Sequence, residues 1–430
     1  MKKIFIAVII LLYQLEISAQ GFSSEDGTFG NKVFDPRIRS VRMFTEGWNL
    51  SYPVIRLNSG EKLVFMFDLL GNTSESYYYT FIHCDKDWNR SDIFPNDFME
   101  GFPDNPIEDM NPSFNTTVNY FHYNLTFPNE RSGLKISGNY ILFVYQADNP
   151  EKPVITYRFI VKEDAAKVNI RVKRPMISPA KESGQQIEFS VDIGGAGLID
   201  PYRNVYSSLL QNGRWDNSRN NLKPDVHGGN ELIYNSLSDK NIFNGGNEFR
   251  YFDIRSIRRL TENVRRIDYN APYYHVALAP SESREFKPYF YWQDFNGKYY
   301  VAVEEGRDPE TDGDYLFTYF TLASGDMIAG GEVYVTGSFC NWTTGKENLM
   351  IYNPAEREYE CTLQLKQGWY NYQYVFVSDI DGSCNPVKFE GSHTETENDY
   401  MVIIYYRNPR GRYDRIIGTG TINTLNRITY

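Results

Sequence analysis

Residues 42–89 read RMFTEGWNLSYPVIRLNSGEKLVFMFDLLGNTSESYYYTFIHCDKDWN. Two strand-like runs lie inside this stretch, EKLVFMFDL at 61–69 and YYYTFIHC at 77–84, with the turn-forming GNTS at 71–74 between them. Aromatic and β-branched side chains suit a pleated, half-buried surface, so the stretch reads as one antiparallel corner of a β-sandwich. The pattern continues outward on both sides. PVIRL at 53–57 alternates ahead of the NSG turn at 58–60, and VNYFHYNLTF at 118–127, GNYILFVY at 138–145 and ITYRFIV at 155–161 follow. Roughly seven strands in about 130 residues is the immunoglobulin-like count, which predicts a sandwich over 32–163.

KEDAAK at 162–167 reads as a short linker. A second unit is predicted over 167–304. It opens with VNIRV at 168–172 and QQIEFSVDI at 185–193, which alternates polar and apolar residues strictly. VYSSLLQ at 205–211 then runs into the hairpin signal Asn212-Gly213. Strand-like text resumes at 249–260, 273–279, 289–292 (YFYW) and 299–303. EEGRDPETDGD at 304–314 reads as a charged hinge, and a third unit is predicted over 312–430 with strands near 315–322, 331–336, 359–365, 370–377, 401–406 and 415–420. A period of 3.6 never persists for three turns, so the chain is predicted to be all-β: three consecutive immunoglobulin-like sandwiches with little helix. The run VYVTGSFCNW at 333–342 resembles early-set immunoglobulin-like domains related to starch- and glycogen-binding modules.

Length and composition fit this division. The chain has 430 residues, 41% hydrophobic and 16% aromatic, with 34 Tyr and 28 Phe. Its formal charge of −11 leaves no basic surplus to neutralise nucleic-acid phosphates or to dock on an anionic membrane through a polybasic patch. Lys2 and Lys3 precede the apolar run IFIAVIILLY at 4–13, and Ala19 supplies a small residue for cleavage. These are the parts of a signal peptide over 1–19. The mature chain is then expected to start at Gln20, with a flexible stretch over 20–31, and to be soluble in the periplasm or exported further. No later apolar run approaches the roughly 20 residues of a spanning helix. Cys84 reads as a buried thiol, and among Cys340, Cys361 and Cys384 at most one bridge is expected.

Candidate chemistry is sparse. His83, Cys84, Asp85 and Asp87 have metal-ligand character, but zinc sites draw on at least two segments, and no second His/Cys cluster follows. Asp308, Glu310, Asp312 and Gly313 mimic the start of a calcium loop, yet the twelfth position, which needs a bidentate glutamate, is Tyr319. GGAG at 194–197 lacks the lysine and helix of a phosphate loop. No serine or cysteine has a recognisable base partner. The chain is therefore expected to be no enzyme, with no catalytic residue, cofactor or metal.

Several segments together resemble a known family. VRMF at 41–44, PVIRL at 53–57, LVFMFD at 63–68, YTFIHCDKDW at 79–88, SGNYILFVY at 137–145 and RVKRP at 171–175 are similar to the plug proteins of the bacterial type IX secretion system. The resemblance spans essentially the whole mature chain. It implies a non-enzymatic protein, associated with the outer membrane through a protein partner, that closes the periplasmic opening of the large translocon barrel while no substrate crosses. It carries no catalytic or cofactor residue. A reversible plug needs a partly polar interface. Its candidate contacts lie in the long segment 88–113, where Pro95, Pro103, Pro106 and Pro112 restrict the chain. There Phe94, Phe98, Met99 and Phe102 stand among Asp and Asn, like an anchor within a polar rim. The competing expectation is an Ω-loop whose aromatics fold back on their own sandwich. The alternative function is a secreted or periplasmic glycan-binding protein, with Trp342 and Trp369 as the stacking residues.

Overall fold

Successive side chains of a strand point to opposite faces, and along Leu63–Leu70 the residues Leu63, Phe65, Phe67 and Leu69 are all buried on one face. This strand pairs antiparallel with Ile38–Thr45 and with Tyr120–Phe127, and Asp109–Pro112 completes a 4-stranded sheet. The turn at 71–74 does not close a hairpin. It carries the chain across the sandwich, where Tyr77–Cys84 pairs with Gly138–Gln146 and that strand with Pro153–Lys162. Aromatic rings fill the space between the sheets. Phe67 stacks on Tyr123 at 4.8 Å, Tyr77 meets both edge-on at 5.4 and 5.1 Å, and Tyr140 stacks on Phe159 at 5.2 Å.

The computed structural model describes residues 29–426 apart from 177–179 and 236–238. The leader at 1–19, its cleavage site and residues 20–28 lie outside the described residues. Residues 29–31, expected to be flexible, are packed: Phe29 is buried, its carbonyl accepts from the Arg158 guanidinium, and Asn31 Oδ1 accepts the Arg158 amide at 2.8 Å.

The chain is all-β, with 48% strand and 6% helix, but its sandwiches are not consecutive. Val205–Gln211 pairs along its whole length with Asp399–Arg407, from Val205↔Tyr406 to Gln211↔Tyr400, and Asp399–Arg407 pairs in turn with Asp414–Asn423. This sheet faces another built on Lys167–Lys173, Gly184–Asp192 and Glu231–Tyr234. Ile187, Val191 and Leu209 share one core with Val402, Ile404 and Ile417. The second sandwich is therefore made from residues 167–244 and 399–423. The third is inserted between them: Arg250–Asp253, Tyr299–Val301, Gly331–Thr336 and Gly368–Ser378 face Val264–Asn270, Tyr273–Leu278, Tyr315–Ala323 and Glu358–Lys366 across the Phe252, Leu316, Phe320 and Tyr370 core. The expected boundaries at 167–304 and 312–430 are corrected accordingly, because burial of the last two strands requires the far half of the second sandwich. Two local expectations change with them. The charged segment at 304–314 is an interface rather than a solvated hinge, and YFYW at 289–292 forms no strand.

The first sandwich is covered on its outer face as well. Gly138–Gln146 is buried on both sides, because Ile82, Ile141, Phe143 and Trp88 form a second apolar layer with Trp215 of the second sandwich. Ile160 likewise packs against Leu210, Met401, Ile403 and Ile416. A test of the split second sandwich is Ile404→Ala, which should cost about 2–5 kcal/mol as a large-to-small core change. Hydrogen exchange should then accelerate in Gly184–Asp192 and Val205–Gln211 as much as in Asp399–Arg407. Acceleration confined to 312–426 would contradict the pairing.

Candidate functional site

The outward face of Leu63–Leu70 carries a charge. Asp68 is fully buried where the first sandwich meets the third, and its Oδ2 accepts from Lys366 Nζ at 2.6 Å and from the Tyr315 hydroxyl at 2.7 Å. Its Oδ1 lies 2.7 Å from His122 Nδ1. Lys366, also 0% exposed, donates to the Glu310 carbonyl at 2.7 Å and lies 4.3 Å from the Tyr120 ring centroid. The Glu310 carboxylate accepts from Arg42 at 2.5 Å. Asp314 accepts the amides of Thr117 and Val118 at 2.8 and 3.1 Å. Residues from 42 to 122 are thus tied to residues from 310 to 366 by charges with almost no solvent.

A second buried charge lies within the inserted third unit. Glu390, 3% exposed, receives Arg250 at 3.0 Å and Arg284 at 2.5 Å. Nearby, the Glu248 carboxylate accepts from the Tyr289 hydroxyl and from the Glu397 amide at 3.0 Å, and Asp294 accepts the amides of Phe249 and Asn296. Burial and the neighbouring Glu248 and Glu397 push the Asp294 carboxyl up to about 8.

The residues singled out from sequence divide between core and surface. The segment 88–113 is not structureless; it forms the short helix Pro95–Phe98 and the strands Met99–Gly101, Asn105–Pro106 and Asp109–Pro112. Phe98 and Met99 are buried in the first core, which corrects their assignment as contact residues. Phe94 and Phe102 are 72% and 71% exposed. Trp342 lies at the seam between the second and third sandwiches, with the Arg214 guanidinium 4.0 Å from its ring centroid and Phe249 at 5.6 Å. Gly297, at φ +81, leaves room for this ring; a Cβ there would sit 2.3 Å from it. Trp369 stacks on Tyr251 at 5.0 Å and meets Phe295 at 4.4 Å. Both tryptophan rings are half-buried and engaged by neighbours within the protein.

His83 donates or accepts within the first sandwich, 2.8 Å from Ser91 Oγ and 3.2 Å from the Ser137 carbonyl, and burial pushes its pKa down to about 4. Burial pushes the Cys84 thiol up. Asp85 accepts the amides of Asp87 and Asn89, both at 2.9 Å, and Asp308 caps the short helix Pro309–Asp312. All four cysteines carry free thiols. Among the described residues no group of three or more His, Cys, Asp and Glu could hold a metal ion, and no helix is long and apolar enough to cross a membrane. Sequence reasoning missed the aromatic segment 283–298, where Phe286 is 90% exposed and Phe290 71%. Within it only YFYW at 289–292 carries a strand-like signal, and these residues form no strand.

The buried carboxylates set the acid stability. Burial opposes ionisation of Asp68, Glu310 and Glu390, yet the adjacent cations outweigh it and hold all three below the ordinary carboxylate range: Lys366 for Asp68, Arg42 and Lys366 for Glu310, and Arg250 and Arg284 for Glu390. The unfolded chain takes up these protons near pH 4, before the folded one does. The stabilisation is therefore complete above about pH 4–5 and is lost as pH falls through the depressed folded values. Urea unfolding should show a steep loss of stability below about pH 4, with a slope of more than one proton. A flat profile from pH 5 to 3 would contradict the pairing.

No curated protein matches the chain. A hypothetical protein from Parabacteroides merdae ATCC 43184, whose crystal structure was determined at 2.30 Å, is 32% identical; the match covers 92% of this chain and 100% of that one, with a TM-score of 0.89. A match to Escherichia coli alpha-2-macroglobulin activated by porcine elastase, at 10% identity over 89% of this chain and 30% of that one, has a TM-score of 0.18 and carries no argument. Residues 38–163 match the family model of the type 9 secretion system plug protein 1st domain. They span the first sandwich, including the strand that carries Asp68, and the chain belongs to the type IX secretion system plug protein family.

Proposed function

We propose that this chain is a non-catalytic periplasmic protein that closes the periplasmic opening of the large outer-membrane type IX translocon while no substrate crosses. Membership of the plug family supports the system, and the observation that carries the mechanism is the Asp68–Lys366–Glu310–Arg42 network. A pore wide enough for folded cargo is blocked sterically only by a body that does not flex apart. Buried ion pairs between the first and third sandwiches, with the apolar seam between the first and second, supply that stiffness. No chemistry is required of such a plug, and the protein carries out none in this reading.

Reversible closure needs a modest, polar-rimmed contact. Phe94 and Phe102 meet that description. Their segment is anchored by Phe98 and Met99 in the core, so little chain entropy is lost when the two exposed rings dock. Affinity isolation of the tagged chain from native membranes should recover the outer-membrane barrel. Phe94→Ser with Phe102→Ser should reduce that recovery several-fold with an unchanged thermal midpoint, whereas Phe98→Ser should lower the midpoint by several degrees. Retention on α-glucan resin with no barrel recovered would favour glycan binding instead.

A further inference from the structure

Two chain crossings join the inserted third unit to the second sandwich. Residues 245–249 leave it after Ile242–Asn244, and residues 391–398 return to Asp399–Arg407. The crossings run side by side. The His393 amide and the Thr396 hydroxyl each donate to the Gly246 carbonyl at 2.8 Å, and Asn398 Nδ2 donates to the Gly245 carbonyl at 2.8 Å. A Cβ on Gly245 would lie 1.9 Å from the His393 carbonyl oxygen, so only glycine fits there. Glu248, on the outgoing crossing, fastens the two together: its Oε1 accepts the amide of Glu397 on the returning one at 3.0 Å, and also the Tyr289 hydroxyl. Asp294 packs against the same junction, accepting the Phe249 amide and that of Asn296 at 2.6 Å.

Three carboxyl groups thus meet at the junction. Glu248 is 0% exposed and Asp294 6%, and Oε2 of Glu248 is buried with no hydrogen-bond partner. Among the described residues no cation pairs with Glu248, Asp294 or Glu397. Arg250 and Arg284 are committed to Glu390, and Arg284 reaches Glu248 only at its backbone carbonyl. Arg174 lies against Glu182 and Glu395, and Lys298 donates to the Leu50 carbonyl at 2.6 Å. The His393 ring, 5.5 Å from Tyr289, is kept neutral at neutral pH by burial. On the far side Asn423 bridges Glu397 and Asp399 at 2.7 and 2.9 Å, and Tyr52 donates to Asp399 at 3.1 Å. Buried carboxyls without a counter-charge retain protons. We propose that Glu248 and Asp294 share one proton at neutral pH and that this proton latches the two crossings, holding the third unit fixed on the second sandwich until it leaves. Burial first, and then the like charges alongside, raise both groups above the ordinary carboxyl range, and they titrate as a pair. Opening the junction wets both and returns them to ordinary values near about 4. From there up to about 8 the closed form binds a proton that the open form has lost. Closure therefore weakens as pH rises through this window and levels off above it, opposite in sign to the contribution of Asp68, Glu310 and Glu390.

Infrared difference spectroscopy of the full chain tests the proton, because a protonated carboxyl absorbs apart from a carboxylate. The wild type should show an acid carbonyl band at about pH 7 that is gone by about pH 9, where ordinary carboxyls show none. Glu248→Gln with Asp294→Asn should lack it. Lys298, pushed down to about 8 by burial, titrates in this range but contributes no such band. Amide hydrogen exchange tests the latch. Protection at 245–249 and 393–398 should fall about tenfold or more from about pH 6 to about pH 9, relative to Gly138–Gln146 in the first sandwich. Glu248→Gln keeps a carbonyl acceptor for Tyr289 and Glu397 and should remove most of that fall. Absence of the acid band from the wild type at neutral pH overturns the proposal, whether or not the variants fold. A band accompanied by protection that tracks the first sandwich at every pH overturns the latch. Neither readout involves the translocon, so the result bears on this proposal alone.

Discussion

A lysine ammonium buried without a counter-charge costs several kcal/mol, and Lys366 has 0% exposure. Its counter-charge, Asp68, is nearly 300 residues away in sequence and belongs to another sandwich. Neither side chain is tolerable without the other, so the strands that carry them, Leu63–Leu70 and Glu358–Lys366, hold one relative position. His122, the Tyr315 hydroxyl and the Glu310 carbonyl supply the further hydrogen bonds that a buried pair needs if it is not to be a net liability. The geometry specifies an arrangement more than it adds stability.

The second sandwich adds a topological constraint. Its sheet is closed by Asp399–Arg407 and Asp414–Asn423, so it cannot be complete until the inserted third sandwich has been traversed. The first sandwich then rests on the outer face of that same sheet through Ile160, Met401 and Ile403. The first sandwich meets its neighbours through seams of different character, charged and hydrogen-bonded against the third and apolar against the second.

Much of this was legible in the sequence. The aromatic and β-branched run at 61–69, the alternation in 185–193, the aromatic strands at 138–145 and 155–161 and the scarcity of helical periodicity point to the all-β sandwich architecture. The family followed from runs such as YTFIHCDKDW at 79–88. What stayed hidden depended on pairing at long range. Nothing local in 401–406 announces that its neighbour is 205–211 rather than an adjacent strand, because period-2 alternation records which face is buried and not against what. Asp68 is one polar residue within a strand-like run and Glu310 part of a charged segment; each becomes a buried charge only when its partner arrives from elsewhere in the chain. In the segment 88–113 the composition marked an anchored loop but could not separate Phe98, which packs inward, from Phe102, which does not.

The claim on which the account depends is that Asp68 and Lys366 join the first and third sandwiches into one cooperative body. Calorimetric unfolding of Lys366→Met, Asp68→Asn and the double variant tests it most directly. The account predicts that Lys366→Met alone costs about 3–5 kcal/mol, the penalty for an orphaned buried charge. It further predicts that the single transition splits as the first sandwich melts separately, and that the double variant recovers much of the loss through a coupling energy above about 1 kcal/mol. Additive losses with one unbroken transition would show that the pair does not hold the sandwiches together, and the rigid-body account would fail.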